Sequence, residues 1–214
     1  MSVLTRRPIA ETLFHTPAMW RVRQSPRIHA AFASLWRTER LWISLDRTML
    51  KAPSCGPDHP GSDLLHWDFD VREETKRFQR YQATLFLEDC AVDQGTFQCV
   101  PGFQKKYEAW RAAASAEELE RVMSTNRVPD TLEFEPTAVA GKAGDLLIWD
   151  SFMPHGHTLN TTSAPPKVRL NQFMTMYPCD DEAEYVSLLR MMWPNSAPSR
   201  DGSALGELVS TFSN

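Results

Sequence analysis

The stretch at residues 144–178, GDLLIWDSFMPHGHTLNTTSAPPKVRLNQFMTMYP, restricts the fold of this chain more than any other part of it. An apolar run (Leu146, Leu147, Ile148, Trp149) leads into a polar turn that carries His155 and His157. A second run, opening at Arg169, leads back out. Short runs bounded by glycine and proline turns read as strands, because a helix takes roughly 10–12 residues to show its period.

Similar runs recur upstream. Residues 41–50 (LWISLDRTML) alternate as a strand. Residues 81–87 (YQATLFL) place Gln82, Thr84 and Phe86 on one face and Tyr81, Ala83, Leu85 and Leu87 on the other. Residues 96–100 form a short strand ended by Pro101-Gly102, and strands resume from about 132 to 139. The expected fold is mainly β: a double-stranded β-helix, the barrel of jelly-roll or cupin type, with flanking and inserted α-helices. Its two sheets enclose a cavity in which residues remote in sequence converge.

The helices are readable from their caps. Ser25-Pro26 starts a helix over about 25–38, with Ile28, Ala31, Phe32, Leu35 and Trp36 as its apolar stripe. Residues 105–126 form a helical insert in which Ser115 and Glu118 make a capping box and Leu119, Val122 and Met123 the stripe. It carries no chemistry. Asp180, Asp181, Glu182 and Glu184 open a last helix over about 181–192, where acidic residues suit the helix dipole. Residues 1–24 show no clear period and are expected to wrap the surface; 52–62 read as a loop and 72–80 as charged and solvated.

With 214 residues the chain suits one domain, its core at about 40–178. A net charge of -4 favours neither nucleic acid nor an anionic membrane as partner. No apolar run approaches the roughly 18–20 residues that span a bilayer, and the N-terminus lacks the apolar core of a secretory signal. Cys55, Cys90, Cys99 and Cys179 show no regular spacing and read as reduced thiols of a cytoplasmic protein, Cys99 as a core residue.

The chemistry begins at His66-Trp67-Asp68. Alternate strand residues share a face, so His66 and Asp68 offer one imidazole and one carboxylate to a single ion while Trp67 points away. Such a tripeptide is common by chance; a histidine after a later strand strengthens it. His155 and His157 both qualify, and only one can lie at bonding distance, about 2.1 Å. The other would sit beside the metal or face substrate. His15, His29 and His59 have no partner pattern. Two imidazoles and a carboxylate hold ferrous iron on one face, and equally suit zinc or manganese. Arg169 favours iron. A catalytic zinc site needs no such cation, whereas an oxygenase that chelates 2-oxoglutarate needs one for the distal carboxylate, and guanidinium grips it bidentately. A structural salt bridge is the plainer reading of the same residue.

HWD, then GTFQCVPGF, then GDLLIWDSFMPHGHTLNTT and Arg169, in that order, resemble the phytanoyl-CoA dioxygenase-like family of iron(II)/2-oxoglutarate oxygenases. The resemblance implies His66, Asp68 and His155 as the metal ligands, with Asn160 selecting His155 over His157, and Arg169 as the anchor of the 2-oxoglutarate tail. It also implies O₂ as co-reactant, ascorbate as a supporting reductant in vitro, and hydroxylation of a small molecule with release of succinate and CO₂. Asp68 fills the place where related halogenases have a small residue that admits chloride. The chain departs from the family at Gln104, where a histidine is frequent, at His157, where a small residue is usual, and in the longer run from His155 to Arg169.

Gln82 and Thr84, on one face of their strand, and Asn171, two residues beyond Arg169, are further candidates for contacting 2-oxoglutarate. Lys51, Arg47 and Trp67 are candidates for lining the entrance. Two rival classes remain at this point: a cupin-like metal or ligand-binding protein without oxygenase activity, and a zinc hydrolase on the same barrel. The substrate and the oligomeric state are open.

Overall fold

The structure is a computed structural model that describes residues 16–53, 65–73, 80–125, 127–129, 135–163 and 165–179. The chain divides into a unit spanning Met1–Tyr177 and a second, Pro178–Asn214, of which only Pro178 and Cys179 are described. The expected last helix, most of the 52–62 loop and the start of the 132–139 strand lie outside the described residues.

Two antiparallel sheets build the barrel. Strands β2 (Thr48–Lys51), β3 (Tyr81–Phe86), β6 (Leu146–Asp150) and β8 (Arg169–Met174) form one, in the order β2-β8-β3-β6. Strands β4 (Phe97–Cys99), β5 (Thr137–Val139) and β7 (His155–His157) form the other, in the order β5-β4-β7. His66 joins this second sheet by an isolated antiparallel bridge to His155. This is the double-stranded β-helix that the strand pattern predicts. Strands β1 (Leu41–Ile43) and β9 (Met176–Pro178) form a separate two-stranded sheet. The single strand expected at 41–50 is therefore two, split where Ser44 and Asp46 turn to other partners. The Ser44 N–H donates to the carbonyl of Thr175, and Asp46 accepts from the N–H of Arg47.

Register decides which residues enter the barrel. On β3, Gln82 and Thr84 point inward; on β8, Arg169, Asn171 and Phe173 do so; on β6, Leu147 and Trp149. The dry part of the interior is small: Phe97, Cys99 and Trp149, with Val139, Leu147, Met153 and Phe173 against them. The outer face of the four-stranded sheet is covered by helices α1 (Pro17–Arg23) and α2 (Pro26–Trp36). Gln172 donates to the Met19 carbonyl, Trp36 donates to that of Met176, and the Trp36 ring meets Tyr81 edge-on at 4.9 Å.

Of residues 1–24, expected to wrap the surface without a clear period, 1–15 lie outside the described residues and Pro17–Arg23 form helix α1. Its seven residues are too few to show a period, but its cap is explicit: the Thr16 hydroxyl accepts from Met19 N–H and proline holds the first helical position. The insert is two helices, α3 (Tyr107–Ala113) and α4 (Ala116–Thr125). The break falls at Ser115, whose hydroxyl accepts from Glu118 N–H as the second helix begins. These helices lie over an aromatic cluster of Trp67, Phe69, Phe103, Tyr107 and Phe152, with Trp110 stacked on Trp67 at 4.7 Å. Trp67 therefore turns away from the barrel interior, as alternation requires, but does not line an entrance. It is 4% exposed, and its indole N–H donates to the Phe152 carbonyl. Burying it there fixes His66 and Asp68 on either side of it.

Candidate metal centre

His66 and His155 are brought together by backbone. Each donates its N–H to the other's carbonyl, at 2.9 and 3.1 Å, which makes them a hydrogen-bonded antiparallel pair with side chains on one face. Their rings lie 4.9 Å apart. Asp68 closes the group: one carboxylate oxygen is 3.3 Å from His66 Nε2 and the other 3.1 Å from His155 Nε2. The three ligating atoms lie within 4.8 Å of one another, and they form the one such cluster among the described residues. His155, not His157, completes the set.

The donor chemistry fits a cation. His155 Nδ1 lies 3.1 Å from the Met153 carbonyl, which can only accept, so Nδ1 donates there and Nε2 is the ring nitrogen aimed at the carboxylate. A ring nitrogen at 3.1 Å from a carboxylate oxygen either donates a proton to it or shares a cation with it. The crowding of protein around Asp68 pushes its carboxyl up, but hydrogen bonds and charge from His155 and His66 outweigh this and hold it well below the usual carboxylate range. Asp68 is an anion at the mouth of the site, its side chain 48% exposed.

A second polar group lies deeper, on the four-stranded sheet. Arg169 is fully buried. Its Nε donates to Asn171 Oδ1 at 3.0 Å and one terminal nitrogen to the Gly95 carbonyl at 2.9 Å, while Asn171 donates to Thr84 Oγ1. Gly95 sits at a positive φ of 72° and packs closely on Lys51 and Asn160, a place no larger residue fits without strain. The other terminal nitrogen of Arg169, Nη2, is buried with no hydrogen-bond partner. Burial lowers the guanidinium to about 10, still charged at neutral pH. No ion pair to it is present among the described residues, so the plain salt-bridge reading has no support. The orphaned N–H and uncompensated charge together fit an anionic ligand.

The other candidates fall into place around these two groups. Gln82 does not reach the arginine; its amide N–H donates to Asp68 at 2.7 Å and its carbonyl accepts from the Trp149 indole at 3.0 Å. Thr84 and Asn171 brace Arg169. His157 shares the inward face with His155, and burial, then the cations Arg169 and Lys51, then the two site histidines push its imidazole well below its ordinary value, so it is neutral. Lys51, adjacent to Arg169 across β2 and β8, is buried and donates to the Thr158 carbonyl. Arg47 is exposed, over the Phe173 ring. Asn160, fully buried, ties the turn after β7 to the carbonyls of Lys51 and Lys167. Cys90 and Cys99 are buried thiols that desolvation pushes up, which leaves them inert. The role of Gln82 beside Asp68 escapes sequence reasoning, because it depends on the β3–β6 register that sets Gln82 opposite Trp149.

The sequence pattern that defines phytanoyl-CoA dioxygenase matches residues 5–168. No curated protein matches the chain by sequence. Among solved structures, AviO1 from Streptomyces viridochromogenes Tue57 is 14% identical with a TM-score of 0.51, over 79% of this chain and 65% of that one. The epimerase SnoN, in complex with Fe3+, alpha ketoglutarate and nogalamycin RO, is 17% identical with a TM-score of 0.51, over 79% and 62%. EctD from S. alaskensis with bound Fe is 20% identical with a TM-score of 0.52, over 76% and 53%. These likenesses establish the barrel fold, and the chain spans less than two thirds of the length of each.

Proposed function

The chain belongs to the phytanoyl-CoA dioxygenase family, and from that premise we propose that it is an iron(II)/2-oxoglutarate-dependent oxygenase that hydroxylates a C–H bond of a small molecule. Ferrous iron, held by His66, Asp68 and His155, would supply the activation of O₂ coupled to conversion of 2-oxoglutarate to succinate and CO₂. The observation that carries this reading is the pairing of that triad with a buried arginine whose Nη2 has no partner. Strand β3 links the two groups, which supports one molecule serving both. Gln82 touches the triad and Thr84 touches the arginine's brace, and two residues along a strand is roughly 7 Å. A five-carbon keto-diacid has that reach, its keto-acid end toward the triad and its distal carboxylate at Arg169.

The protein's own part is positional and electrostatic. The His66–His155 backbone bridge fixes two ligands without relying on side-chain packing. Arg169, its fork oriented by Asn171 and the Gly95 carbonyl, offers a charge-assisted bond in a dry setting where such bonds are strong. A neutral His157 adds no charge to compete with the triad for the cosubstrate. The structures of SnoN with Fe3+ and alpha ketoglutarate and of EctD with Fe agree with the cofactor assignment. SnoN's naming as an epimerase shows that this fold also serves other outcomes.

The test is succinate release from 2-oxoglutarate on addition of iron(II), ascorbate and a substrate panel, an uncoupled trace being expected even without the right substrate. Asp68→Ala and His155→Ala should bring it to background. Full turnover in both variants would end the assignment. Activity that needs zinc and ignores 2-oxoglutarate would make the protein a hydrolase, and tight metal binding with no turnover on any substrate a binding protein.

A further inference from the structure

Building on the metal reading above, we propose that Gln82 and Trp149 form a positioning relay that fixes the carboxylate plane of Asp68 for metal binding. Asp68 has three polar contacts: His66 at 3.3 Å, His155 at 3.1 Å and the Gln82 amide at 2.7 Å. A cation that takes the two imidazole nitrogens removes the first two. The Gln82 bond is then the one hydrogen bond left to orient a ligand carboxylate whose side chain is 48% exposed.

Gln82 is itself held in one orientation. An indole N–H can only donate, so the Gln82 oxygen must face Trp149 and the NH₂ must face Asp68; the flipped amide would set donor against donor and acceptor against carboxylate. Trp149 cannot follow a moving partner. It is 5% exposed, paired with Gln82 across β3 and β6, and packed against the rings of both Phe97, at 4.6 Å, and His155, at 5.1 Å. The relay therefore runs from a rigid core indole through an amide to a ligand at the surface, and its far end packs on another ligand, His155. Partners of this kind fix ligand orientation and commonly account for 10- to 100-fold in metal affinity.

Mn(II) serves as the probe, read by the loss of its free-ion EPR signal on titration into the full chain. Gln82→Met, which keeps length and loses both bonds, should raise the Mn(II) dissociation constant roughly 10- to 100-fold. Trp149→Phe, which keeps most of the ring and loses the N–H, should raise it by less, and the double variant should be no worse than Gln82→Met alone, as expected of groups acting in series. Melting of the metal-free variants at the wild-type temperature excludes unfolding as the cause; should Gln82→Met fail to fold, Trp149→Phe decides alone. Wild-type Mn(II) affinity in Gln82→Met overturns the relay, and does so whether or not the KM for 2-oxoglutarate rises, since a rise would mean that Gln82 faces the cosubstrate instead. A wild-type chain that takes up no Mn(II) overturns the metal reading and the relay with it.

Discussion

The two polar groups of the barrel interior solve opposite problems. The triad of His66, Asp68 and His155 stands at the mouth, its carboxylate half exposed and in contact with both imidazoles. Arg169 stands at the closed end, without exposure, its charge uncompensated and one nitrogen unpaired. An open site can exchange its ion with solvent at little cost. A buried cation carries its desolvation permanently and recovers it only when an anion arrives. On the proposed function, the triad is the end open to loading and the arginine the end that selects.

That contrast breaks first at Arg169. Arg169→Met should weaken 2-oxoglutarate binding by about 2–5 kcal/mol, roughly 30-fold or more, while Mn(II) affinity measured alone stays at the wild-type level. Calorimetric titration of each ligand separately checks this; equal losses for both would mean that the two ends are not distinct. The next effect is at Asn171. Asn171→Leu strips Arg169 Nε and Thr84 of a buried partner and should lower chain stability by about 1–3 kcal/mol, seen as a shift of the urea midpoint at constant slope.

The smallest effect is a pH dependence. His157 is held neutral, well below its ordinary value of 6.5, so the unfolded chain binds a proton that the folded one refuses as pH falls below about 6.5. Stability from this group is full above that pH and is lost on acidification, by at most about 1.4 kcal/mol per pH unit. His157→Gln should flatten the fall below pH 6.5 relative to wild type, and an unchanged profile would remove His157 as its source.

The placement of residues legible in the sequence is the part that is local. His66 and Asp68 share a face because strands alternate, and His155 and Arg169 flank runs that can only be strands. The contacts that the pattern leaves open depend on what lies across a sheet. Gln82 and Thr84 share a face, as alternation predicts, but which polar group each meets follows from pairing: Gln82 stands opposite Trp149, and Thr84 one strand away from Asn171. Trp67 turns away from the ligands as expected, and only the packing of helices α3 and α4 makes that side a core rather than an entrance. Helix α1 was within reach, since Thr16-Pro17 is a sound cap, but seven residues give the period too little length to show.

The central claim, that a ferrous ion and a keto-diacid share this barrel, is tested most directly by anaerobic addition of 2-oxoglutarate to the iron(II)-loaded chain. Chelation of iron by the keto-acid gives a weak visible charge-transfer band. The band should appear in the wild type, vanish in Asp68→Ala, and in Arg169→Met require much higher 2-oxoglutarate. No band in the wild type, or one that persists unchanged in both variants, would contradict the account.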